Sequence, residues 1–298
     1  MSLVVNNNLM AMNAARNLGN AYSDLATSTR RLSSGLRVDT AADDAAGLAI
    51  RELMRADISS LNQGMRNAND AISMIQTADG ALQVIDEKLI RMKELAEQAA
   101  TGTYTSDQRL IIDSEYQAMA SEITRIANAT DFNGIYLLNG NLSSENHSGT
   151  GLQSTGKLKV HFGAGNDSAE DYYYIQIGNS TASALGLGNA SDTVSDAGFS
   201  ISTQDAAQRS LDAINNAIVS KDKIRANLGA LQNRLENTIT NLSIQAENLQ
   251  AAESRISDVD VAGEMTNYTS KQILSQGAAA MLAQANQLPQ MALQLMQG

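Results

Sequence analysis

The chain has no cysteine and few of the residues that build thick globular cores. Among its 298 residues there is no tryptophan and one proline, and aromatic residues make up only 4%. The absence of cysteine excludes disulfides, thiolate metal ligands and thiol nucleophiles. The hydrophobic fraction of 43% is mainly alanine, leucine, isoleucine and methionine, which suits helix seams better than a globular core.

An excess of basic charge and long apolar segments are also missing. The formal net charge is −11 and the sequence pI is about 4.6, so we expect no nucleic-acid partner, because phosphate binding depends on surplus lysine and arginine. No apolar run reaches the ~18 residues of a membrane-spanning helix, which predicts no membrane insertion. The first residues carry no basic region or cleavage site, so we expect no cleaved secretory signal.

The dominant pattern is a heptad-like apolar stripe over residues 54–96. Its members stand alternately four and three residues apart, with one slip, and no proline interrupts them. Such spacing predicts one continuous helix, on the order of 60 Å long, which needs partners along its length. The stripe consists of Met54, Ile58, Leu61, Met65, Ala68, Ile72, Ile75, Ala78, Leu82, Ile85, Leu89, Met92 and Ala96.

Similar spacing occupies the N-terminal region. From Ala11 it predicts a helix over about residues 7–34, with Gly35 as its stop. The connector that follows holds Asp43 and Asp44 just before the long helix. We expect them to cap that helix rather than bind metal, because adjacent aspartates point in different directions and no further ligand cluster lies nearby.

Two further helices are predicted downstream. A turn at residues 101–107 contains Ser106, the expected N-cap of a helix that ends near Asn128. Another apolar stripe predicts a helix over about residues 204–255, long enough to pack antiparallel against the long helix.

The region between these helices, residues 139–204, is rich in Ser, Gly, Asn, Asp and Thr. This composition predicts a largely exposed segment. Two short runs within it alternate apolar and polar residues, which predicts a β-hairpin. The apolar sides of the two runs are Leu158, Val160 and Phe162, and Tyr173, Ile175 and Ile177.

The last segment lacks charge. Between residues 265 and 298 the only charged side chain is Lys271, and residues 1–15 carry none. A solitary surface helix normally carries charges on its wet face. We therefore predict that the terminal helices form a coiled coil that associates with further copies, in preference to an internal hairpin of a larger monomer. The predicted seam consists of Leu18, Leu25, Leu32, Leu274, Ala278, Met281, Ala285, Leu288, Ala292 and Leu295.

Enzymatic signals are weak throughout. The two histidines, His147 and His161, stand in the polar segment without His, Asp or Glu at metal-ligand spacing. The glycines of residues 163–168 lack the third glycine and the following helix of a dinucleotide loop, and they suit a turn. We expect no enzymatic activity, no catalytic residue, no cofactor and no metal.

Several long motifs, in consistent order, resemble the terminal regions of bacterial flagellins. The similarity covers roughly residues 1–140 and 200–298 and is far more specific than one short pattern. The motifs are Arg31-Leu-Ser-Ser-Gly-Leu-Arg, Asp43-Asp-Ala-Ala-Gly-Leu-Ala-Ile, Arg66-Asn-Ala-Asn-Asp-Ala-Ile-Ser, Arg91-Met-Lys-Glu-Leu-Ala-Glu-Gln, Phe132-Asn-Gly and Ala283-Gln-Ala-Asn-Gln-Leu-Pro-Gln.

This resemblance implies a mainly α fold of long antiparallel helices, with a coiled coil of paired terminal segments and a small β-hairpin insertion. It implies three domains. Residues 1–44 with 257–298 would form an inner core, residues 45–140 with 200–256 an outer tube, and residues 141–199 a short exposed segment.

The implied function is that of a structural subunit that polymerises into the bacterial flagellar filament for swimming motility. The chain would be exported unfolded by the flagellar type III apparatus and would lie outside the cell. Its implied partners are further copies of itself, flagellar cap and hook-associated proteins, and an export chaperone at the C-terminal segment. The alternatives are a hook-filament junction protein, a cytoplasmic coiled-coil scaffold and an extracellular hydrolase on a helical stalk.

The resemblance also implies recognition by Toll-like receptor 5. By motif, the contact residues fall on Arg91, Leu95 and Glu122, with Glu94 adjacent. Arg91 and Leu95 are four residues apart and are therefore expected to share a helix face. From the residues alone, the alternative is that the charges are solvated and Leu95 belongs to the core.

Overall fold

The fold consists mainly of long helices. The computed structural model describes residues 8–147, 156–168, 170–188 and 198–297, the side chains of 288–297 excepted. The mainly α class predicted from the sequence is confirmed. None of the described helices is long and apolar enough to cross a membrane. The elements in chain order are α1 (Leu9–Ser34), α2 (Ala45–Ala100), α3 (Ser106–Ala129), β1 (Asp131–Phe132), β2 (Ile135–Tyr136), β3 (Leu158–His161), β4 (Tyr172–Ile175), α4 (Gln204–Ser257) and α5 (Val261–Gln297).

The chain divides into two compact units. The first combines residues 1–58 with 247–298, and the second comprises residues 59–246. The first unit contains α1, α5, the beginning of α2 and the end of α4, and the second contains the remaining elements. The three-domain division expected from the sequence stays a prediction.

Local capping explains the end of α1 and the beginning of α2. Gly35 follows α1 with a φ of +73°, and its N–H donates to the carbonyl oxygen of Arg31 at 2.9 Å, so the predicted stop is confirmed. Asp44 Oδ1 accepts a hydrogen bond from the N–H of Gly47 at 2.9 Å. Its predicted role as the cap of the long helix is therefore confirmed.

The cap of α3 differs from the expectation. The N-cap residue is Thr105 rather than Ser106. Thr105 accepts from the backbone of Gln108, and the Gln108 side chain accepts from the backbone N–H of Thr105, which together form a capping box. Because this reciprocal pair requires Gln three residues after the cap, it selects Thr105 over its neighbour.

The stripe along α2 forms the centre of the second unit. Its members from Leu61 to Ala96 are all buried or half-buried, as predicted. Those from Ala68 onward belong to, or pack against, one core that also contains buried side chains of α3, of α4 and of the β3–β4 pair. Phe132 of β1 and Ile135 of β2 are partly buried against the same core. The other elements of this unit are therefore organised around α2.

A charged residue, Lys221, lies between Ile218 and Ile224, where the predicted apolar stripe of α4 has a gap. Its side chain is 1% exposed, and Nζ binds Asp86 Oδ1 at 2.5 Å and Asp222 Oδ1 at 2.7 Å. One turn further, Arg225 binds Asp79 at 2.7 Å. A buried ammonium group is tolerated when it is paired. The two pairs that join α4 to α2, Lys221–Asp86 and Arg225–Asp79, favour the observed alignment of these helices.

The segment that leads into α4 is anchored on α3. Asp113 Oδ1 accepts hydrogen bonds from the N–H of Ile201 at 2.7 Å and from the hydroxyl of Ser200 at 3.0 Å. The hydroxyl of Tyr116 donates to the carbonyl oxygen of Gly198 at 2.8 Å. Burial raises the pKa of Tyr116, so this hydroxyl stays a neutral donor.

Both small sheets are antiparallel hairpins. The β1–β2 connection is Asn133-Gly134, with φ angles of +52° and +80°, which is the conformation of a type I′ turn between twisted strands. In the β3–β4 pair, Leu158 lies opposite Ile175. This register confirms the hairpin predicted from the alternating pattern.

The β3–β4 hairpin lies directly against α2. A Cβ atom at Gly64 would collide with the carbonyl oxygen of Phe162. Nearby, Asn67 Nδ2 donates to the carbonyl oxygen of His161 at 2.8 Å. The hairpin is therefore part of the helical core, although the sequence predicted that its surroundings are exposed.

Substitution of this glycine tests the close approach. We expect Gly64→Ala to lower the free energy of unfolding by about 2 kcal/mol, because the hairpin must move away from α2. Gly80→Ala is the matched control, since the same helix has open space around Gly80, and it should raise stability by up to about 1 kcal/mol. Urea unfolding of both variants measures the difference, and equal effects would contradict the packing argument.

Candidate assembly surface

Helices α1 and α5 form an antiparallel pair with Cα atoms within 8 Å of each other. Residues early in α1 meet residues late in α5, and the end of α1 meets the beginning of α5. The predicted pairing of the two terminal helices is confirmed. Contacts along the pair are Asn8 Nδ2 to Ala285 O at 2.8 Å, Lys271 Nζ to Asp24 Oδ2 at 2.6 Å, and an antiparallel backbone bridge between Leu36 and Asp258.

The shielded positions on the facing sides of α1 and α5 recur at heptad spacing and hold many small side chains. The predicted seam residues Leu18, Leu25 and Leu32 are all half-buried. Alanine and serine at the intervening positions allow the two helices to approach closely. The shielded positions at this spacing are Ala11, Ala14, Leu18, Ala21, Leu25, Ser28 and Leu32 on α1, and Glu264, Tyr268, Lys271, Ser275, Ala278, Leu282 and Ala285 on α5.

The predicted seam of α5 is only half correct. Ala278 and Ala285 lie in the shielded stripe, but Leu274 and Met281 are 56% and 63% exposed. The predicted stripe and the shielded stripe have the same period and share both alanines. Where they differ, Ser275 and Leu282 face α1 in place of Leu274 and Met281. The predictions for Leu288, Ala292 and Leu295 lie outside the described side chains.

Large apolar side chains remain exposed on both helices of the pair. Such residues are normally scattered singly on a soluble surface, and larger groups mark contact surfaces. The segments that carry them have almost no charge to keep them in water. The exposed apolar set, as we call it, consists of Leu9, Met10, Met12 and Tyr22 on α1 and Val261, Met265, Ile273, Leu274 and Met281 on α5.

The connector between α1 and α2 is held by the Asp43 carboxylate. Asp43 Oδ2 accepts from the N–H of Thr40 at 3.1 Å and from its hydroxyl at 2.8 Å. Asp43 Oδ1 lies 3.4 Å from Arg30 and 3.6 Å from Arg31. The Thr40 hydrogen bonds, helped by the two guanidinium groups, lower the pKa of Asp43.

Three of the predicted receptor residues carry exposed or half-exposed charges in ion pairs. Arg91 on α2 binds Glu115 of α3 at 2.8 Å and Glu94 at 3.0 Å, and these bonds raise the pKa of Arg91. On α3, Glu122 binds Arg125 at 2.6 Å. Arg91 is thus held on the surface where α2 and α3 meet.

Leu95 does not share that exposed face, so the expectation of a common face with Arg91 is wrong for this structure. Its side chain is 2% exposed and belongs to the core. The reason is that α3 covers α2 here, as shown by the 3.0 Å hydrogen bond from Arg109 Nε to the carbonyl oxygen of Ala99. The receptor role of the four residues stays a prediction.

Family models match both ends of the chain. The model described as the bacterial flagellin N-terminal helical region matches residues 5–143, and that of the C-terminal helical region matches residues 211–296. The chain belongs to the bacterial flagellin family. This flagellin is a structural subunit of the flagellar filament, which serves motility.

Relatives of the same length support this assignment. The chain is 42% identical over 294 residues to a flagellar filament 33 kDa core protein of Treponema phagedenis, covering 99% of this flagellin and 100% of that protein. A flagellin of Halalkalibacterium halodurans gives the same identity and coverage over 294 residues.

The fold itself is shared more widely. A solved structure of a putative flagellar hook-associated protein from Vibrio parahaemolyticus gives a TM-score of 0.55 at 15% identity, covering 72% of this flagellin and 100% of that chain. At this identity the similarity concerns the fold alone. The choice between filament and junction protein therefore depends on the sequence relatives.

Acid should weaken the α1–α2 connector through Asp43. Because its folded-state pKa is lowered, the stabilisation is fully present above the unfolded value of about 3.9 and is lost as pH falls through the folded value. We expect Asp43→Asn to remove this part of the acid dependence, as measured by urea unfolding from about pH 6 down to about pH 2.5. Asp57→Asn, at an exposed position on α2, should keep the wild-type profile, and an unchanged profile in Asp43→Asn would disprove the assignment.

Proposed function

We propose that this flagellin polymerises by burying the exposed apolar set of α1 and α5 between copies of the chain. The observation that carries the proposal is a helix pair with large exposed apolar side chains and almost no charge. Burial of such surface contributes about 25 cal/mol per Å². The α1–α5 pairs would line the inner core of a hollow filament, with α2, α3 and α4 in its outer tube.

Export of the unfolded chain through the flagellar type III apparatus fits the same features. Alanine and serine occupy about half of the α1–α5 seam and bury little surface each, so the pair gains most of its stability when copies join. New subunits would add at the tip of the extracellular filament, beneath a cap protein. An export chaperone would shield the C-terminal segment beforehand, and hook-associated proteins would meet the same surfaces at the filament base.

The first test removes apolar surface from α5. We expect Leu274→Gln with Met281→Gln to slow elongation from filament fragments at least about tenfold, because burial of each side chain is worth about 1.5–3 kcal/mol and 1.4 kcal/mol is a factor of ten. Electron microscopy of filament lengths measures the rate.

Conservative substitutions provide the control. Leu274→Ile with Met281→Leu keeps both positions apolar and should elongate at close to the wild-type rate. Because both residues are exposed, we expect the free energy of unfolding of the monomer to change by no more than about 0.5 kcal/mol in either variant. Normal growth of the glutamine variant would disprove the proposed surface.

A second proposed function is recognition by Toll-like receptor 5, centred on Arg91. The supporting observation is that Glu115 and Glu94 hold this exposed guanidinium at the junction of α2 and α3. An arginine held in this way is a common hot spot in protein interfaces. Leu95 would act indirectly, by keeping α2 and α3 packed beneath the contact.

Paired binding and unfolding measurements test these roles. We expect Arg91→Ala to weaken binding of soluble flagellin to the receptor ectodomain with a stability change below about 1 kcal/mol, because its ion pairs are exposed. Leu95→Ala should lower the free energy of unfolding by about 2–5 kcal/mol, because it leaves a cavity in the core. Arg66→Ala, which removes the same charge from an exposed site of α2, is the control. Unchanged binding of Arg91→Ala would refute the receptor contact.

A further inference from the structure

Four charged residues of the α1–α5 pair stand at intervals of the seam repeat. The only acidic residue of α1 is Asp24, and α5 contains one acidic residue, Glu264, and one basic residue, Lys271. Asp24 and Arg31 are seven residues apart on α1, and Glu264 and Lys271 are seven apart on α5. Seven residues make one seam repeat, so a slip of one repeat exchanges the partners of these charges.

In the observed alignment, opposite charges lie level with each other. Lys271 Nζ binds Asp24 Oδ2 at 2.6 Å. One repeat further along the antiparallel pair, Arg31 comes level with Glu264. The Nε atom of Arg31 is buried and has no hydrogen-bond partner among the described residues, while its Nη2 lies 3.6 Å from Asp43 Oδ1. Glu264 is 9% exposed.

A slip of one repeat in either direction opposes like charges. If Lys271 comes level with Arg31, two cations meet. In the opposite direction Asp24 comes level with Glu264, and two carboxylates meet. Like charges brought together in a contact disfavour that alignment.

The apolar seam alone distinguishes these alignments weakly. On α1 a shift of seven residues replaces Leu18 by Leu25, and Ala14 by Ala21. Over most of α1, side chains of similar size then face α5, although Ala11 replaces Leu18 in one direction. Packing along α1 therefore separates the alignments less sharply than a varied seam would. Charged residues beside a repetitive seam are a known means of specifying its register.

We propose that Asp24, Arg31, Glu264 and Lys271 form a charge register that selects the alignment of α1 with α5 in which the chain can polymerise. The inference rests on the proposed function. One repeat displaces a helix by about 10 Å along its partner, since each residue rises 1.5 Å. Such a slip would separate the exposed apolar residues of α1 from those of α5 with which they form one contact surface.

The register acts mainly on assembly. The Asp24 and Lys271 side chains are 52% and 37% exposed, and ion pairs of this kind stabilise an isolated chain only slightly. Burial between copies removes water from them, and an unmatched buried charge is strongly unfavourable. The charges therefore discriminate between alignments most strongly while a subunit is being added.

The cysteine-free chain allows the alignment to be mapped with introduced disulfides. Leu18→Cys with Ser275→Cys reports the observed alignment. When Asp24 lies opposite Lys271, these two shielded positions lie opposite each other on the same side of that contact. Ala11→Cys with Ser275→Cys reports the slip that brings Asp24 level with Glu264. Each pair is oxidised in monomer and in elongation reactions with filament fragments, with and without changes at the charged residues.

Charge reversal should move the cross-link in one direction. Asp24→Lys opposes Lys271 in the observed alignment and attracts Glu264 in the slipped one, so the disulfide should shift from the Leu18→Cys to the Ala11→Cys reporter. Elongation of Asp24→Lys without cysteines should fall about tenfold, equivalent to 1.4 kcal/mol. Asp24→Lys combined with Lys271→Asp restores opposite charges and should recover the original cross-link and elongation to within about threefold, which corresponds to less than 1 kcal/mol.

A control variant and the results that would contradict the proposal complete the test. Asp57→Lys makes the same charge change on α2 and should leave the cross-link and elongation unchanged. If Asp24→Lys keeps the original cross-link, the backbone bridge between Leu36 and Asp258 suffices for alignment and the charge register is disproved. The register is also disproved if Asp24→Lys with Lys271→Asp does not recover the original cross-link and elongation. If the wild-type chain does not elongate at all, the proposed function fails, whereas the cross-link result still decides the register.

Discussion

The continuous apolar seam of α2 is the interaction on which the second unit depends. Three of its other elements contact this helix directly: α4 through the ion pair of the buried Lys221 with Asp86, α3 through Arg91 and Arg109, and the β3–β4 hairpin through Gly64. The buried arc of α2 is wider at Met92, Leu95, Ala96 and Ala99 than at Leu82, Ile85 and Leu89, and Arg109 of α3 binds α2 there. A single rod thereby supports a stable core in a chain that has few aromatic residues.

The same seven-residue period has a different outcome in α1 and α5. Along α2 most of the buried apolar positions from Leu61 to Ala99 hold leucine, isoleucine or methionine, with alanines between them. The α1–α5 seam has alanine or serine at about half of its shielded positions, and most of its larger members are only half-buried. Small side chains bury little area, so this pair contributes less stability per residue. The larger apolar side chains of α5, such as Leu274, face outward, where only another molecule can cover them. A filament subunit needs this difference, because it must be folded in part yet remain reactive toward its own copies.

Periodicity predicted the existence and approximate extent of the long helices, and alternation predicted the β3–β4 hairpin. It did not predict which of two equivalent stripes faces the partner helix, so Leu274 and Met281 were placed in the seam that Ser275 and Leu282 occupy. The burial of Leu95 depends on α3, a neighbour that local sequence does not reveal.

The burial of a charged residue was the other feature that the sequence pattern did not predict, because a lysine in a helical pattern normally indicates a solvated face. Lys221 is buried because Asp86, far away in sequence, lies beside it on α2. The signal that could have found it is the gap in the apolar stripe of α4, which a long side chain fills with its methylene groups. Spacing predicts positions on one helix, whereas burial and ion pairing depend on the helix across the seam.

The two units therefore align their helices by different means. In the second unit, the large side chains of the shared core and the ion pairs Lys221–Asp86 and Arg225–Asp79 all favour one alignment of α4 with α2, so no single contact decides it. Along α1 most of the seam repeats leucine or a small residue every seven positions, and the backbone bridge acts at one end only. A stronger apolar seam would fix the alignment but would also make the pair stable by itself. Few charges beside a weak seam can specify alignment while leaving most of the binding energy to the contact between copies.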